Sequence, residues 1–151
     1  MNHRRALAAA TTTLLAAALF TYAQTPTSQP TEKKTVTPSG LTIIDKGQSS
    51  ITAEAGDKVW VDYVGKLTDG TEFDASSKHP DSPFIFALGK GKVIPGWDEG
   101  IAGMKVGQKR QLIIPPNLAY GDRAVGTIPA NSTLVFDVTL LGVQKGAGAD
   151  D

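Results

Sequence analysis

The 151-residue chain has no cysteine, which at once excludes disulfides, thiolate metal sites, a cysteine nucleophile and a lipid-modified N-terminal cysteine. Histidine is scarce as well. His3 and His79 are the two, and a Ser-His-Asp triad would have to use His79 with no nucleophile-elbow motif around any serine. Gly89, Gly91 and Gly96 form no strand-to-helix G-x-G-x-x-G run, and no Gly-Lys-Ser/Thr pattern occurs, so the common phosphate cradles are missing. Lysine plus arginine and aspartate plus glutamate number 15 each, and no basic run stands out. A near-neutral surface of this kind argues against nucleic acid or an anionic membrane as the main partner. Long apolar runs are absent except near the N-terminus, and that one is shorter than the ~20 residues a membrane helix needs.

That N-terminal run has a layout of its own. Arg4 and Arg5 precede an apolar stretch over 6–20, broken only by Thr11, Thr12 and Thr13, and Thr21 and Ala23 place small residues at cleavage positions. This is the pattern of a secretory signal peptide over 1–23. The paired arginines also admit a twin-arginine signal. The expectation is a soluble protein exported to a periplasm or the medium, with no membrane contact after signal removal. Without Arg4 and Arg5, 13 basic residues face 15 acidic ones. Residues 24–38 are rich in Thr, Pro, Ser and Gln, with Val36 the only larger apolar residue. Such a segment buries too little surface to offset its ordering entropy and reads as a disordered linker. Residues 146–151 read as a flexible tail by the same argument, leaving one domain over 39–145. No heptad pattern or large apolar stretch calls for a second copy, so a monomer is expected.

Within the domain the signals are mostly strands. Val59, Val61 and Tyr63 alternate with Trp60, Asp62 and Val64, the period of two that marks a strand. Thr68-Asp69-Gly70 follows, and an Asp-Gly pair between such runs signals a hairpin. Further alternation appears at Phe84, Phe86 and Leu88, at Leu112 and Ile114, and at Leu134, Phe136, Val138 and Leu140, with a first strand near Leu41. One segment reads as helical. Pro95 suits a first turn, Asp98 and Glu99 suit the positive helix N-terminus, and Trp97, Ile101 and Met104 recur at spacings of four and three. This helix should end near Gly103 or Gly107. The fold class that follows is α+β, a curved antiparallel sheet of about five strands wrapped around one short α-helix.

Catalytic equipment is sparse. Asp69, Glu72 and Asp74 could supply paired carboxylates, but their place beside a hairpin favours turn chemistry or solvation. What remains is an excess of aromatic and branched residues close to polar turns. Phe73 directly precedes Asp74, and Tyr120-Gly121 opens a loop. Polar tips can therefore converge on an apolar floor, the usual form of a ligand pocket. Asn131-Ser132-Thr133 is also a glycosylation acceptor pattern.

Tyr63-Val64-Gly65-Lys66-Leu67-Thr68-Asp69-Gly70, Phe73-Asp74, Pro83-Phe84-Ile85-Phe86-Ala87-Leu88-Gly89, Val93-Ile94-Pro95-Gly96-Trp97, Ala119-Tyr120-Gly121, Ile128-Pro129 and Leu134-Val135-Phe136-Asp137-Val138 together resemble the FKBP-type peptidyl-prolyl cis/trans isomerases, in that family's order and spacing. The resemblance implies a proline pocket between sheet and helix. Its floor would be Trp97 and its walls Tyr63, Phe84, Val93, Ile94 and Phe136, with Phe73 and Asp74 on the rim. It further implies that Tyr120 donates its hydroxyl to a substrate carbonyl and that Ile128 supplies a backbone N–H and an apolar side chain. Proline-containing segments of folding proteins are the implied partners and rapamycin-like macrolides the implied inhibitors, with no metal or organic cofactor. Two loops depart from the family pattern. Residues 75–82 hold no arginine to pair with Asp74, leaving Lys78 or His79 to substitute, and residues 122–127 are shortened and lack a histidine. The expected function is isomerisation of X-Pro bonds in exported proteins. The alternatives are a peptide-binding or chaperone module with little turnover, or a hydrolase using Ser76 or Ser77 with His79.

Overall fold

The computed structural model describes residues 32–46 and 50–146. The expected export signal, most of the expected linker and residues 147–151 lie outside the described residues. Seven strands are formed: β1 (Lys33–Val36), β2 (Thr42–Lys46), β3 (Lys58–Leu67), β4 (Glu72–Ala75), β5 (Phe84–Ala87), β6 (Lys109–Ile114) and β7 (Leu134–Gln144). One α-helix, α1 (Pro95–Ile101), lies between β5 and β6. The sheet runs β1-β2-β6-β7-β3-β4, with β5 also on β3, and every pairing is antiparallel.

Side-chain alternation sets the inner face. Val59, Val61 and Tyr63 of β3, Leu112 and Ile114 of β6, and Leu134, Phe136, Val138 and Leu140 of β7 are all buried, while the residues between them face outward at least partly exposed. The register of β3 shifts between Trp60 and Val61 against β7, and between Gly65 and Lys66 against β4. Bulges of this kind bend a strand and increase its twist. They let the upper part of β3 pair with β4 and the lower part with β5.

The helix covers that face at unusually short range. Gly96 and Gly100 are both buried on its inner side, with Trp97 and Ile101. A Cβ at Gly100 would sit 2.7 Å from Leu112, and one at Gly96 would run into the branched side chain of Ile114. Two glycines four apart are thus the seat of the helix on β6. The helix stops at Ile101, near the expected Gly103: Gly103 takes a positive φ of 79° and the Met104 N–H closes a turn onto the Ile101 carbonyl. Arg110, only 7% exposed, donates from Nη1 to the carbonyls of Gly100 (2.8 Å) and Ala102 (3.2 Å) and from Nε to Asp45. Such capping satisfies carbonyls the helix itself leaves open. Met104 remains fully buried although it lies beyond the helix.

Two corrections to the sequence reading concern the edges. The sheet has seven strands rather than about five, the two unexpected ones being β1 and β4. β1 falls inside the segment read as disordered linker, and its four residues are all exposed, so no apolar alternation marks it. Gly146, read as the start of the tail, donates its N–H to Asp57 Oδ1 at 3.1 Å, beside Lys145 Nζ at 3.1 Å from Oδ2.

Gly96→Ala separates two opposing effects. Alanine gains up to about 1 kcal/mol of helix propensity, whereas overpacking a filled core costs about 1–3 kcal/mol. The fixed rotamer of a β-branched neighbour tips the balance. A net loss of about 1–2 kcal/mol is expected in urea denaturation.

Candidate functional site

Between α1 and the inner face of β3, β4 and β7 lies a cavity of about 230 Å³. Trp97 forms its buried floor, 4% exposed. Four rings surround the indole: Tyr63 at 5.0 Å and Phe136 at 5.1 Å between centroids, both edge-to-face, with Phe86 at 5.8 Å and Phe84 at 5.9 Å. Phe73 meets Phe136 at 5.5 Å and 86°. That contact requires Gly65 beneath it, since a Cβ there would lie 2.7 Å from Phe136 and 2.8 Å from Phe73. The indole N–H is buried without a hydrogen-bond partner among the described residues.

The polar rim is built on Asp74. Tyr63 donates its hydroxyl to Asp74 Oδ2 at 2.7 Å, and Oδ1 contacts His79 Nε2 at 2.8 Å and accepts the Ala75 N–H at 2.9 Å. Burial works to raise the pKa of Asp74, but the bonds from Tyr63, His79 and Ala75 outweigh it and hold the carboxyl below the usual carboxylate range. Burial first, then the bond to Asp74, pushes the Tyr63 phenol up, so it stays protonated. Of the two residues considered as substitutes for an arginine, His79 reaches Asp74, while Lys78 pairs with Glu72 at 2.7 Å.

Val93 and Ile94 form a wall from the segment leading into the helix. Asp98, in the first turn of α1, fixes that segment by accepting the N–H groups of Gly89 (2.8 Å) and Gly91 (2.9 Å). Both glycines have positive φ, the conformation that side-chain-bearing residues rarely adopt. Tyr120 also lines the cavity and is 38% exposed. Its hydroxyl has no partner among the described residues, unlike that of Tyr63.

Nine of the ten residues singled out from the sequence therefore surround one cavity. Ile128 is the exception. It is 6% exposed within the core and does not line the cavity, and its N–H donates to Val125 O at 2.8 Å while its own carbonyl accepts from Val125. The N–H expected to be available is thus engaged. Lys92 lines the cavity and was missed; its place next to Val93 was the available signal. Asp69 accepts the Thr71 N–H at 2.8 Å, as turn chemistry anticipates. Ser76 is buried, with Oγ donating to Asp62 and accepting from the Tyr63 N–H, so it makes no bond to His79.

A seven-stranded sheet with one helix laid over it and an aromatic cavity between them makes a single α+β domain with a ring-walled pocket. The chain belongs to the FKBP-type peptidyl-prolyl cis-trans isomerase family, whose sequence model matches residues 49–141. It is similar to the FK506-binding protein 4 of Mycosarcoma maydis, 50% identical over 131 residues, which cover 79% of this chain and 34% of that protein. The chain therefore spans about a third of the length of that relative. It is 52% identical over 110 residues to the FK506-binding protein 1A of Neurospora crassa, covering 70% of this chain and 91% of that one. Among solved structures it resembles FkpA from Escherichia coli, with a TM-score of 0.67 and 44% identity over 74% of this chain and 52% of that chain.

Tyr63→Phe tests the rim. Losing the hydroxyl removes one of the bonds that depress Asp74, so the Asp74 pKa should rise in an NMR carboxyl titration. Because the folded pKa lies below the ordinary ~3.9, ionised Asp74 stabilises the fold above about pH 4, and that contribution is lost as pH falls through the folded value. The stability difference between wild type and Tyr63→Phe should be full at about pH 7 and shrink below about pH 4.

Proposed function

We propose that this protein accelerates cis/trans isomerisation of X-Pro bonds, gripping the proline ring over Trp97 without forming a covalent intermediate. Rotation about an amide has a barrier of about 18–20 kcal/mol because resonance must be broken, and the uncatalysed X-Pro step takes tens to hundreds of seconds. In the twisted transition state the nitrogen loses conjugation and the amide becomes less polar. An aromatic pocket walled by Tyr63, Phe73, Phe84, Trp97 and Phe136 favours that state over either planar isomer, and such selective binding is what lowers a barrier.

The observation that carries this reading is the division of labour between two hydroxyls on the cavity wall. Tyr63 is committed to Asp74, which fixes its ring, while Tyr120 is left free to donate to the carbonyl of the residue preceding proline. Ile94 N–H makes no backbone hydrogen bond among the described residues and is a better candidate for a second donor than Ile128. Asp74 is ionised and bonded on both oxygens, so its part is to hold the rim rather than to move a proton. The names of the two FK506-binding relatives support macrolide inhibition at the same pocket.

A coupled peptide assay on the purified protein, with and without a rapamycin-like macrolide, tests the proposal. One hydrogen bond is worth about 0.5–1.5 kcal/mol, so Tyr120→Phe should lower kcat/KM about two- to tenfold. A folded Tyr120→Phe protein with no activity would overturn the mechanism, and a folded wild type with none would leave a peptide-binding module with little turnover.

The layout of residues 1–23 supports a setting outside the cytoplasm, where the clients would be exported proteins. Mass spectrometry of the mature protein should find an N-terminus at Gln24. A chain that retains Met1 or Arg4 would remove the basis for export.

A further inference from the structure

A second depression, of about 440 Å³, adjoins the proline cavity. The two share Tyr63, Asp74 and Phe84 as a common wall, so the groove is within reach of a residue next to a proline held over Trp97. Asp81 and Ile85 line this groove and not the proline cavity. Ile85 is 44% exposed and Phe84 38%, an apolar strip in contact with solvent.

The charges in the groove do not balance. Asp74 has both oxygens engaged, one of them by His79. The nearest lysine in sequence, Lys78, is held by Glu72. Asp81 is exposed and has no hydrogen bond or ion pair among the described residues. Lys92 lines the proline cavity and not this groove, and it makes no ion pair with Asp81. An acidic substrate side chain would be repelled here. A purely apolar one would cover the Phe84–Ile85 strip but bring nothing to Asp81. A lysine or arginine does both, laying its methylene stem on the strip and extending its charged head to the carboxylate.

We propose that this groove is a subsite for a basic side chain immediately flanking the isomerised proline, with Asp81 as the residue that sets the preference. The proposal rests on the proline cavity being the isomerisation site. The test uses peptides carrying Lys, Glu or Leu directly before or directly after proline, assayed with the purified full chain at low salt. At one of the two positions Lys should exceed Glu in kcat/KM by about two- to fivefold, the range of an exposed ion pair. The difference should fade as salt is raised. Asp81→Asn should bring the ratio near one and Asp81→Lys should invert it, with Leu peptides turned over at the wild-type rate as the check on folding. Equal Lys and Glu rates at both positions, or a preference that survives Asp81→Asn, would overturn the subsite. Should no peptide be turned over, the isomerase reading fails by itself, and equilibrium binding of the same peptides, followed by chemical shifts, decides the groove. Tighter binding of the Lys peptides that depends on Asp81 supports it, and equal binding overturns it.

Discussion

Trp97 can lie at the bottom of the cavity only because the helix that carries it presses onto β6 through two glycines, Gly96 and Gly100. A seven-residue helix has too few turns to persist alone in water, so its existence depends on that packing. The indole repays the approach with four aromatic neighbours, and such pairs are worth about 0.5–1.5 kcal/mol each beyond their buried area. Arg110 completes the arrangement from below. A buried ion pair adds little net stability, and the consequence of the Arg110–Asp45 pair is positional: it holds the guanidinium against the Gly100 and Ala102 carbonyls at the end of the helix that carries Trp97.

The same economy governs the rim. Asp74 accepts from a phenol and a backbone N–H and contacts an imidazole, an excess of donors that keeps it ionised and still. A carboxylate tied on both oxygens is a poor proton shuttle, which suits a bond rotation that transfers no proton. It is a good strut, because it fixes the tilt of Tyr63, and Tyr63 in turn packs against Trp97, Phe84 and Phe136. Polar order at the surface thus reaches the apolar floor through one ring.

What could be read from the sequence was what period and residue type encode. The inward residues of β3 and β7 alternate strictly, and the aromatic residues that seemed too many for a small core do meet at one cavity. β1 escaped notice because a strand paired on one edge, with every side chain in solvent, needs no apolar alternation; its hydrogen bonds to β2 are backbone only. Lys92 was passed over because a charged residue does not look like a pocket wall, although the stem of a lysine is apolar. Arg110 was invisible for a similar reason, since nothing in a sequence says that a cation will be buried as a helix cap. Ile128 shows the opposite error. Its apolar side chain fitted a wall, but Ile128 is bridged to Val125 and buried in the core, and backbone pairing across the two residues Gly126 and Thr127 leaves no trace in side-chain pattern.

Floor and rim therefore answer to different constraints. The floor is set by contacts shorter than a methyl group tolerates, at Gly65, Gly96 and Gly100, so a change there disturbs several rings together. Around Asp74, the outer rim is made of exposed charged and titratable groups on 75–82 and of Lys92, each with one partner or none among the described residues. Substituting them shifts the electrostatic surroundings of a bound segment by amounts of the order of an exposed ion pair and leaves the aromatic box intact. His79 in place of an arginine beside Asp74 is a change of this second kind. It offers fewer donors than an arginine would, while Tyr63 donates to Asp74 at 2.7 Å and packs edge-to-face on Trp97. Divergence at the rim can thus alter which proline segments are favoured without disturbing the surface on which the proline itself rests.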